Sequence, residues 1–286
     1  MNDSTQGAGR IALVGGEGEL PGVLAQAGRK AGADLLVYAV EGLYNAGLPA
    51  DWSFGIGEVG RLKKQLQRDR VTRIAVSGRF YRPDYGAVAW DMGAVAVLPR
   101  ILKTGLSGDD NVTRTIMGIV GEWGVEIVGP DAIAPGFVAR AGAMSRRKPG
   151  RAQLADIAFG AEVIAGLGRF DIGQCVVVHG HRVIAVEAAE GTDQMIARVA
   201  DLRRQGRFRS KPPCGVLVKM AKPQQELRMD MPVVGPDTVR HAAEAGLAGI
   251  AVSAGRVLLA DPDAVRAAAD ETGIFVTGVE AEGARG

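Results

Sequence analysis

The sequence predicts an α/β protein of two domains, the first Rossmann-like with a mainly parallel sheet. Three observations predict it. Short apolar runs alternate with amphipathic stretches in both halves of the chain, the pattern of βαβ units. A length of 286 residues suits two domains. A stretch carrying Pro135, Gly136, Gly142, Pro149 and Gly150 breaks the alternation near the middle. The boundaries so drawn are an N-terminal domain over 1–134, a linker over 135–152 and a C-terminal domain over 153–286.

The elements follow in order. Residues 11–14 form a continuous apolar run, a buried strand. The stretch 20–31 is amphipathic, with Pro21 tolerated in its first turn, and reads as a helix. A second apolar strand covers 35–40. The helix over 60–70 puts Leu62 and Leu66 on one face and leaves Lys63, Lys64 and Arg68 mostly elsewhere. A strand over 73–77, helices over 95–103 and 111–122 and a strand over 125–128 complete the first domain. The second begins with a helix over 154–166. Two strands, 175–178 and 183–186, flank His179-Gly180-His181-Arg182, a hairpin turn. A helix over 192–204 takes Thr192 as its N-cap. Strands at 216–219, 249–253 and 274–277 alternate with helices at 237–245 and 263–272.

Composition narrows the function classes. The 34 Lys and Arg against 32 Asp and Glu leave a net charge of +2, no overall footprint for nucleic acid. Local basic clusters remain at Arg146, Arg147, Lys148 and Arg151 and across Arg203 to Lys211. Cys175 and Cys214 lack metal or CxxC spacing, so structural roles in a reducing compartment are expected. No apolar run approaches the roughly 18–20 residues of a membrane span, and the polar N-terminus lacks a signal-peptide core. A cytoplasmic protein is expected. The 41 glycines show no collagen period and imply many tight turns.

Four segments could carry chemistry. The first βα junction reads Val14-Gly15-Gly16-Glu17-Gly18-Glu19-Leu20-Pro21, a turn through which a backbone could approach a diphosphate. Pro21 stands where the dinucleotide fingerprint needs its third glycine. With Glu41 at the end of the second strand, a nicotinamide-dependent oxidoreductase stays open as an alternative. Gly78-Arg79-Phe80-Tyr81-Arg82-Pro83-Asp84 follows a strand at its carboxyl end, where Arg79 or Arg82 could clamp a phosphate or simply line a solvated loop. Asp109 and Asp110 could hold a hard cation or cap a helix. The stretch from Lys219 to Asp230 packs Lys219, Lys222, Glu226, Arg228 and Asp230 into twelve residues, with Pro223 inside it and Pro232 just beyond, poor helix and poor central strand. Its cations suit a polyanionic phosphate. Asp230 could hold Mg2+ or orient a water.

Together these segments resemble the LpxI family, the UDP-2,3-diacylglucosamine pyrophosphatases of lipid A biosynthesis, from about Ile11 to Val279. Gly15-Gly16-x-Gly18-x-Leu20-Pro21, Gly57-Glu58-x-Gly60, Arg82-Pro83-Asp84 and Gly108-Asp109-Asp110 are similar to family motifs in the first domain. In the second, the likeness runs through Asp171-Ile172-Gly173-Gln174, Ala185-Val186-Glu187-Ala188 and Glu190-Gly191-Thr192-Asp193. It continues in Lys222-Pro223, Gln225, Arg228, Asp230, Pro232 and Gly235. Val233-Val234 and Ser253 depart from the family pattern.

The resemblance implies metal-dependent hydrolysis of a pyrophosphate to UMP and diacylglucosamine 1-phosphate (lipid X), with Mg2+ or another divalent cation. It implies a nucleotide-binding first domain and a catalytic, lipid-binding second domain. The aspartate matching Asp230 is the family's essential acid. Asp230, Lys222 and Arg228 are therefore expected at the reacting phosphate, with Asp110 a further candidate metal ligand. Gly15, Gly16, Gly18, Arg79, Arg82, Thr192, Asp193, Lys219 and Gln225 are expected to bind substrate. The diacylated nucleotide sugar further implies transient contact with the inner face of the inner membrane, where Arg146, Arg147, Lys148 and Arg151 could meet anionic headgroups. A homodimer through the second domain is the family expectation. A non-catalytic nucleotide- or lipid-binding protein is the remaining alternative.

Overall fold

The structure, a computed structural model, describes residues 9–81, 86, 88–105 and 109–280, and of residues 104, 105, 109 and 110 the backbone alone. One compact unit runs to Pro135 and also takes in Arg228–Asp230. The other consists of Gly136–Leu227 and the chain from Met231.

The first unit holds β1 (Ile11–Gly15), α1 (Leu20–Lys30), β2 (Leu35–Val40), β3 (Trp52–Phe54), α2 (Val59–Arg68), β4 (Arg73–Ser77), α3 (Met92–Gly105), α4 (Asp109–Gly121) and β5 (Glu126–Ile127). Its strand order is β3-β2-β1-β4-β5, and every neighbouring pair is parallel. Such strands are covered on both faces, which is why they read as unbroken apolar runs. Alternate residues still divide between the faces: Ala12 and Val14 pack with Leu66 of α2 and Val120 of α4. Between β1 and β4 the strand order reverses direction, the topological switch point where open α/β sheets take ligands.

The second unit contains β6 (Gly142–Ala143), α5 (Arg151–Gly168), β7 (Cys175–His179), β8 (Arg182–Val186), α6 (Thr192–Arg204), β9 (Val216–Lys219), β10 (Val233–Val234), α7 (Pro236–Glu244), β11 (Gly249–Ser253), β12 (Leu258–Leu259), α8 (Pro262–Thr272) and β13 (Phe275–Val279). Its main sheet runs β6-β13-β11-β9-β7-β8, and β10 with β12 forms a separate parallel ribbon. The strands β13, β11 and β9 are parallel; β6, β7 and β8 pair antiparallel at the two sides. Val176, Val178, Val216 and Val218 turn to α5 through Ile157 and Ile164. Val177, Leu217, Ile250 and Val252 turn the other way, to Met195 of α6, Val239 of α7 and Val265 of α8. Gly249 has to be glycine: a Cβ there would stand 2.4 Å from the Phe275 ring on the neighbouring strand.

The stretch set apart as a linker has structure of its own. Val138 bridges to Leu258, β6 pairs with Gly278 and Thr277 of β13, and α5 begins at Arg151. The hairpin at 179–182 forms as the sequence predicts. Gly180 and His181 both have positive φ, 58° and 57°, the signature of a two-residue type I′ turn. Among the described residues no helix is long and apolar enough to cross a membrane.

Candidate functional site

At the switch point, the β1–α1 turn is tied to the end of β4. The Gly16 N–H donates to the Ser77 carbonyl (2.8 Å), the Glu17 N–H to the Arg79 carbonyl (3.0 Å), and the Arg79 N–H returns to Glu17 (2.8 Å). The Gly18 N–H donates to Asn45 Oδ1 at 2.8 Å. These donors are the ones a diphosphate cradle would use, and all three are engaged by the protein itself. The N–H groups of Gly16 and Gly18, two of the residues expected to bind substrate, are thus engaged within the protein. Close approach explains the first two glycines. A Cβ on Gly15 would meet the Tyr44 ring at 2.6 Å, and one on Gly16 the Arg79 carbonyl oxygen at 2.6 Å.

Side chains remain at the same place. Tyr81 donates its hydroxyl to Glu17, and Arg79 pairs with Glu17 at 3.6 Å while staying 70% exposed. That hydrogen bond, with lesser help from desolvation and the Glu17 charge, pushes the Tyr81 phenol above its usual range. Phe80 and Tyr81 are exposed aromatics beside it. Ser77, last residue of β4, is buried, and its hydroxyl has no hydrogen-bond partner among the described residues. A buried polar group without a partner asks for water or ligand. Arg82 lies outside the described residues. Asp110 stands in the first turn of α4, its side chain outside them.

The second gathering is at the carboxyl edge of the second sheet. β9 ends there at Lys219, and antiparallel β7 begins opposite it, with Cys175 in register. Lys219, Glu187, Gln225 and Ser253 are all buried, and charged residues are rarely buried unless paired. Here they are joined in a chain. Lys219 Nζ donates to Thr192 Oγ1 (2.9 Å), which donates to Glu187 Oε1 (2.7 Å). Glu187 Oε2 accepts the Gln174 N–H (3.3 Å). Gln225 Nε2 donates to Gln174 Oε1 (3.1 Å), and Gln225 Oε1 accepts the Lys222 N–H (3.0 Å). Lys222 Nζ pairs with Asp171. Ser253 Oγ accepts the Ala221 N–H at 3.2 Å. Burial pushes the Cys175 thiol far up, so it is an inert core residue rather than a nucleophile.

Four of the predicted residues, Thr192, Lys219, Lys222 and Gln225, thus stand in one connected network. Thr192 is there for a different reason than capping: Gly191 occupies the cap position without a side-chain cap, and the Thr192 hydroxyl is held between Lys219 and Glu187. Asp193 points elsewhere, to His241 Nδ1 at 3.5 Å. Arg228 and Asp230 group with the first unit, where the Arg228 backbone passes Gly129 and Met229 packs on the core around Tyr38 and Leu66. Of the basic residues at 146–151, Arg146 pairs with Asp270 (3.4 Å) and Arg147 donates to the Gly273 carbonyl (2.7 Å). Among the described residues no group of three or more His, Cys, Asp or Glu is arranged to hold a metal.

Comparison with known proteins places this arrangement. The family model of the LpxI N-terminal domain matches residues 10–137, and that of the LpxI C-terminal domain matches 140–277. The chain belongs to the LpxI family. A relative from Caulobacter vibrioides, UDP-2,3-diacylglucosamine pyrophosphatase LpxI, is 38% identical over 275 residues, covering 95% of this chain and 98% of that protein. In this LpxI-family chain, three polar residues escape a site search made on the sequence: Ser77, Gln174 and Glu187. Gln174 and Glu187 lie inside the family-like motifs, and Glu187 directly follows an alternating strand. Its oxygens are satisfied by the Thr192 hydroxyl and the Gln174 N–H, and through Thr192 it is linked to Lys219, thirty-two residues away. No local signal marks Ser77.

Proposed function

We propose that this chain hydrolyses the pyrophosphate of UDP-2,3-diacylglucosamine to UMP and 2,3-diacylglucosamine 1-phosphate. The observation that carries this reading is the hydrogen-bonded chain from Lys219 to Lys222, which delivers two ammonium groups to the carboxyl ends of the parallel strands of the second sheet. The near-full-length likeness to a protein named for that activity supports it. Pyrophosphate hydrolysis is largely a matter of positioning and of charge on the phosphate oxygens. Lys219, fixed by Thr192 and Glu187, and Lys222, fixed by Asp171, supply preset positive charge, and Arg228 supplies more. Asp230 orients the attacking water.

Mg2+ fits the donor set in one form only. Mg2+ commonly takes one or two carboxylates, several waters and substrate phosphate oxygens rather than a closed protein cage, and no three-ligand cluster occurs among the described residues. Asp230 would hold the ion, with Asp110 as the second carboxylate. The ion would neutralise phosphate charge. The uridine nucleotide meets side chains at the switch point, with Arg79 for phosphate and Phe80 or Tyr81 for the base. Phe170 and Ile172, exposed beside the Lys222–Asp171 pair, offer apolar surface to the acyl chains, for which exposure to water costs about 0.8 kcal/mol per CH2.

The test is UMP release from UDP-2,3-diacylglucosamine with and without EDTA. Loss of release in EDTA and in Asp230→Ala, with restoration by Mg2+, is expected. Wild-type turnover by Asp230→Ala would remove Asp230 from the mechanism, and no UMP release by the wild type would remove the reading itself. Against the oxidoreductase alternative, the Gly16, Glu17 and Gly18 N–H groups at the first turn are engaged within the protein, and Pro21 stands where the dinucleotide fingerprint needs a glycine.

A further inference from the structure

The basic stretch from Arg203 to Lys211 has no part in the reaction above. It folds at the opposite edge of the second sheet, where the β7–β8 hairpin meets the loop after α6. A surface pocket of about 450 Å³ lies there, lined among others by His179, Arg182, Ile184, Arg207, Phe208 and Arg209. No aspartate or glutamate lines it.

Two features separate it from an ordinary solvated basic loop. The first is the state of its arginines. Elsewhere some arginines, such as Arg10, Arg29 and Arg100, pair with a carboxylate, and others, such as Arg68 and Arg140, have no such pair among the described residues; here three without one line a single pocket. Arg182, Arg207 and Arg209 form no such pair among the described residues. The nearby carboxylate of Asp156 is buried in α5, on the other face of the sheet, and accepts the Gly180 and His181 N–H groups (3.0 and 2.8 Å).

The second is that the loop is built. Arg203 stacks 3.9 Å from the Phe208 ring centroid and donates to the carbonyls of Ser210, Ala245, Cys214 and Gly246. The Arg207 and Phe208 N–H groups both return to the Leu202 carbonyl (2.8 and 3.1 Å). Arg209 Nε is anchored on Gly206 (2.6 Å). Phe208 is buried, and the His179 ring rests 5.5 Å from it. The cations are thus presented from a fixed frame, which lowers the entropic cost of gathering them around an anion.

We propose that this pocket binds a phosphate group. Guanidinium groups match phosphate oxygens in bidentate geometry. An uncompensated set of three, over an apolar floor of Phe208 and Ile184, suits a phosphate carried on a small or amphipathic molecule. The source is either a free phosphate anion or the headgroup of an anionic phospholipid. The site is separate from the reacting edge of the sheet and does not depend on the proposed hydrolysis.

The full chain is titrated at low ionic strength with inorganic phosphate by calorimetry. In parallel it is co-sedimented with vesicles of phosphatidylglycerol and of phosphatidylcholine. Binding of phosphate alone identifies a free anion; binding of phosphatidylglycerol but not phosphatidylcholine vesicles identifies a headgroup. In either case Arg182→Ala/Arg207→Ala/Arg209→Ala weakens binding about 1,000-fold, roughly tenfold for each of the three charge-assisted contacts removed, and 0.5 M salt has a similar direction of effect. Arg182→Lys/Arg207→Lys/Arg209→Lys retains most of it. If the triple alanine variant is unstable, Arg207→Ala, which changes one exposed loop side chain, carries the test with a smaller loss. Absence of binding to both probes, or binding by the alanine variants equal to wild type, overturns the proposal.

Discussion

Ser77 and Thr192 are two small hydroxyl residues at strand and helix ends with opposite energetics. The Thr192 hydroxyl stands between a buried ammonium and a buried carboxylate, so Thr192→Val strands both. About 1–3 kcal/mol of stability should be lost, seen as a lowered Tm, together with lower kcat for UMP release. An unchanged Tm would show that water replaces the hydroxyl. Ser77 has no partner to lose among the described residues, so Ser77→Ala should leave the Tm unchanged or raised. If the switch point receives the nucleotide, KM rises in the same variant. A Tm drop with KM unchanged would show a structural partner instead. Asp91 adds a pH term. Burial pushes its carboxyl up, but N–H donors from Ala94, Gly60, Arg61 and Gly93 outweigh this and hold it below its usual value. A depressed carboxyl stabilises the fold above the unfolded-state value and stops doing so as pH falls through the folded one. Denaturant titrations of wild type and Asp91→Asn should therefore converge in acid and separate near neutrality.

At the level of elements, periodicity carried the long pieces. β2, β4, β9, α6 and β11 have the ranges the sequence predicts, because each is a fully covered apolar run or a strongly amphipathic turn sequence. The pieces missed are β3, β6, β10 and β12. Each has two or three residues, too few for any period to show. The charged Lys219-to-Asp230 segment is legible as irregular, but not as divided. Charge pattern brings Lys222 and Gln225 into view together with Arg228 and Asp230, whereas their grouping depends on neighbours far away in sequence. At the βα junction the sequence cannot separate two uses, since a glycine needed for close approach looks the same as one needed for a ligand. Gly16→Ala tests that distinction. With the Arg79 carbonyl 2.6 Å from the new Cβ, the β1 and β4 ends must part, costing about 1–3 kcal/mol. An unfolding midpoint equal to wild type would show the junction can relax.

Across the whole molecule, the chain leaves the second unit at Leu227 and rejoins it at Met231. Met229 packs against the first unit's core. Met229→Ala should lower the stability of that unit, by about 2–5 kcal/mol if the side chain were fully enclosed and less for a partly buried one. Hydrogen exchange of the β1, β2 and β4 amides reads the effect directly, and unchanged protection there would show that Met229 contributes nothing to the first unit.

The crossing has a bearing on inheritance and engineering. A gene cut at 135/136 yields neither unit whole: the front half lacks a three-residue piece encoded nearly a hundred codons downstream. Recombination at that boundary would therefore tend to produce mismatched hybrids, and a foreign first domain would have to accept this chain's Arg-Met-Asp. Those three residues belong by sequence to one half and by packing to the other.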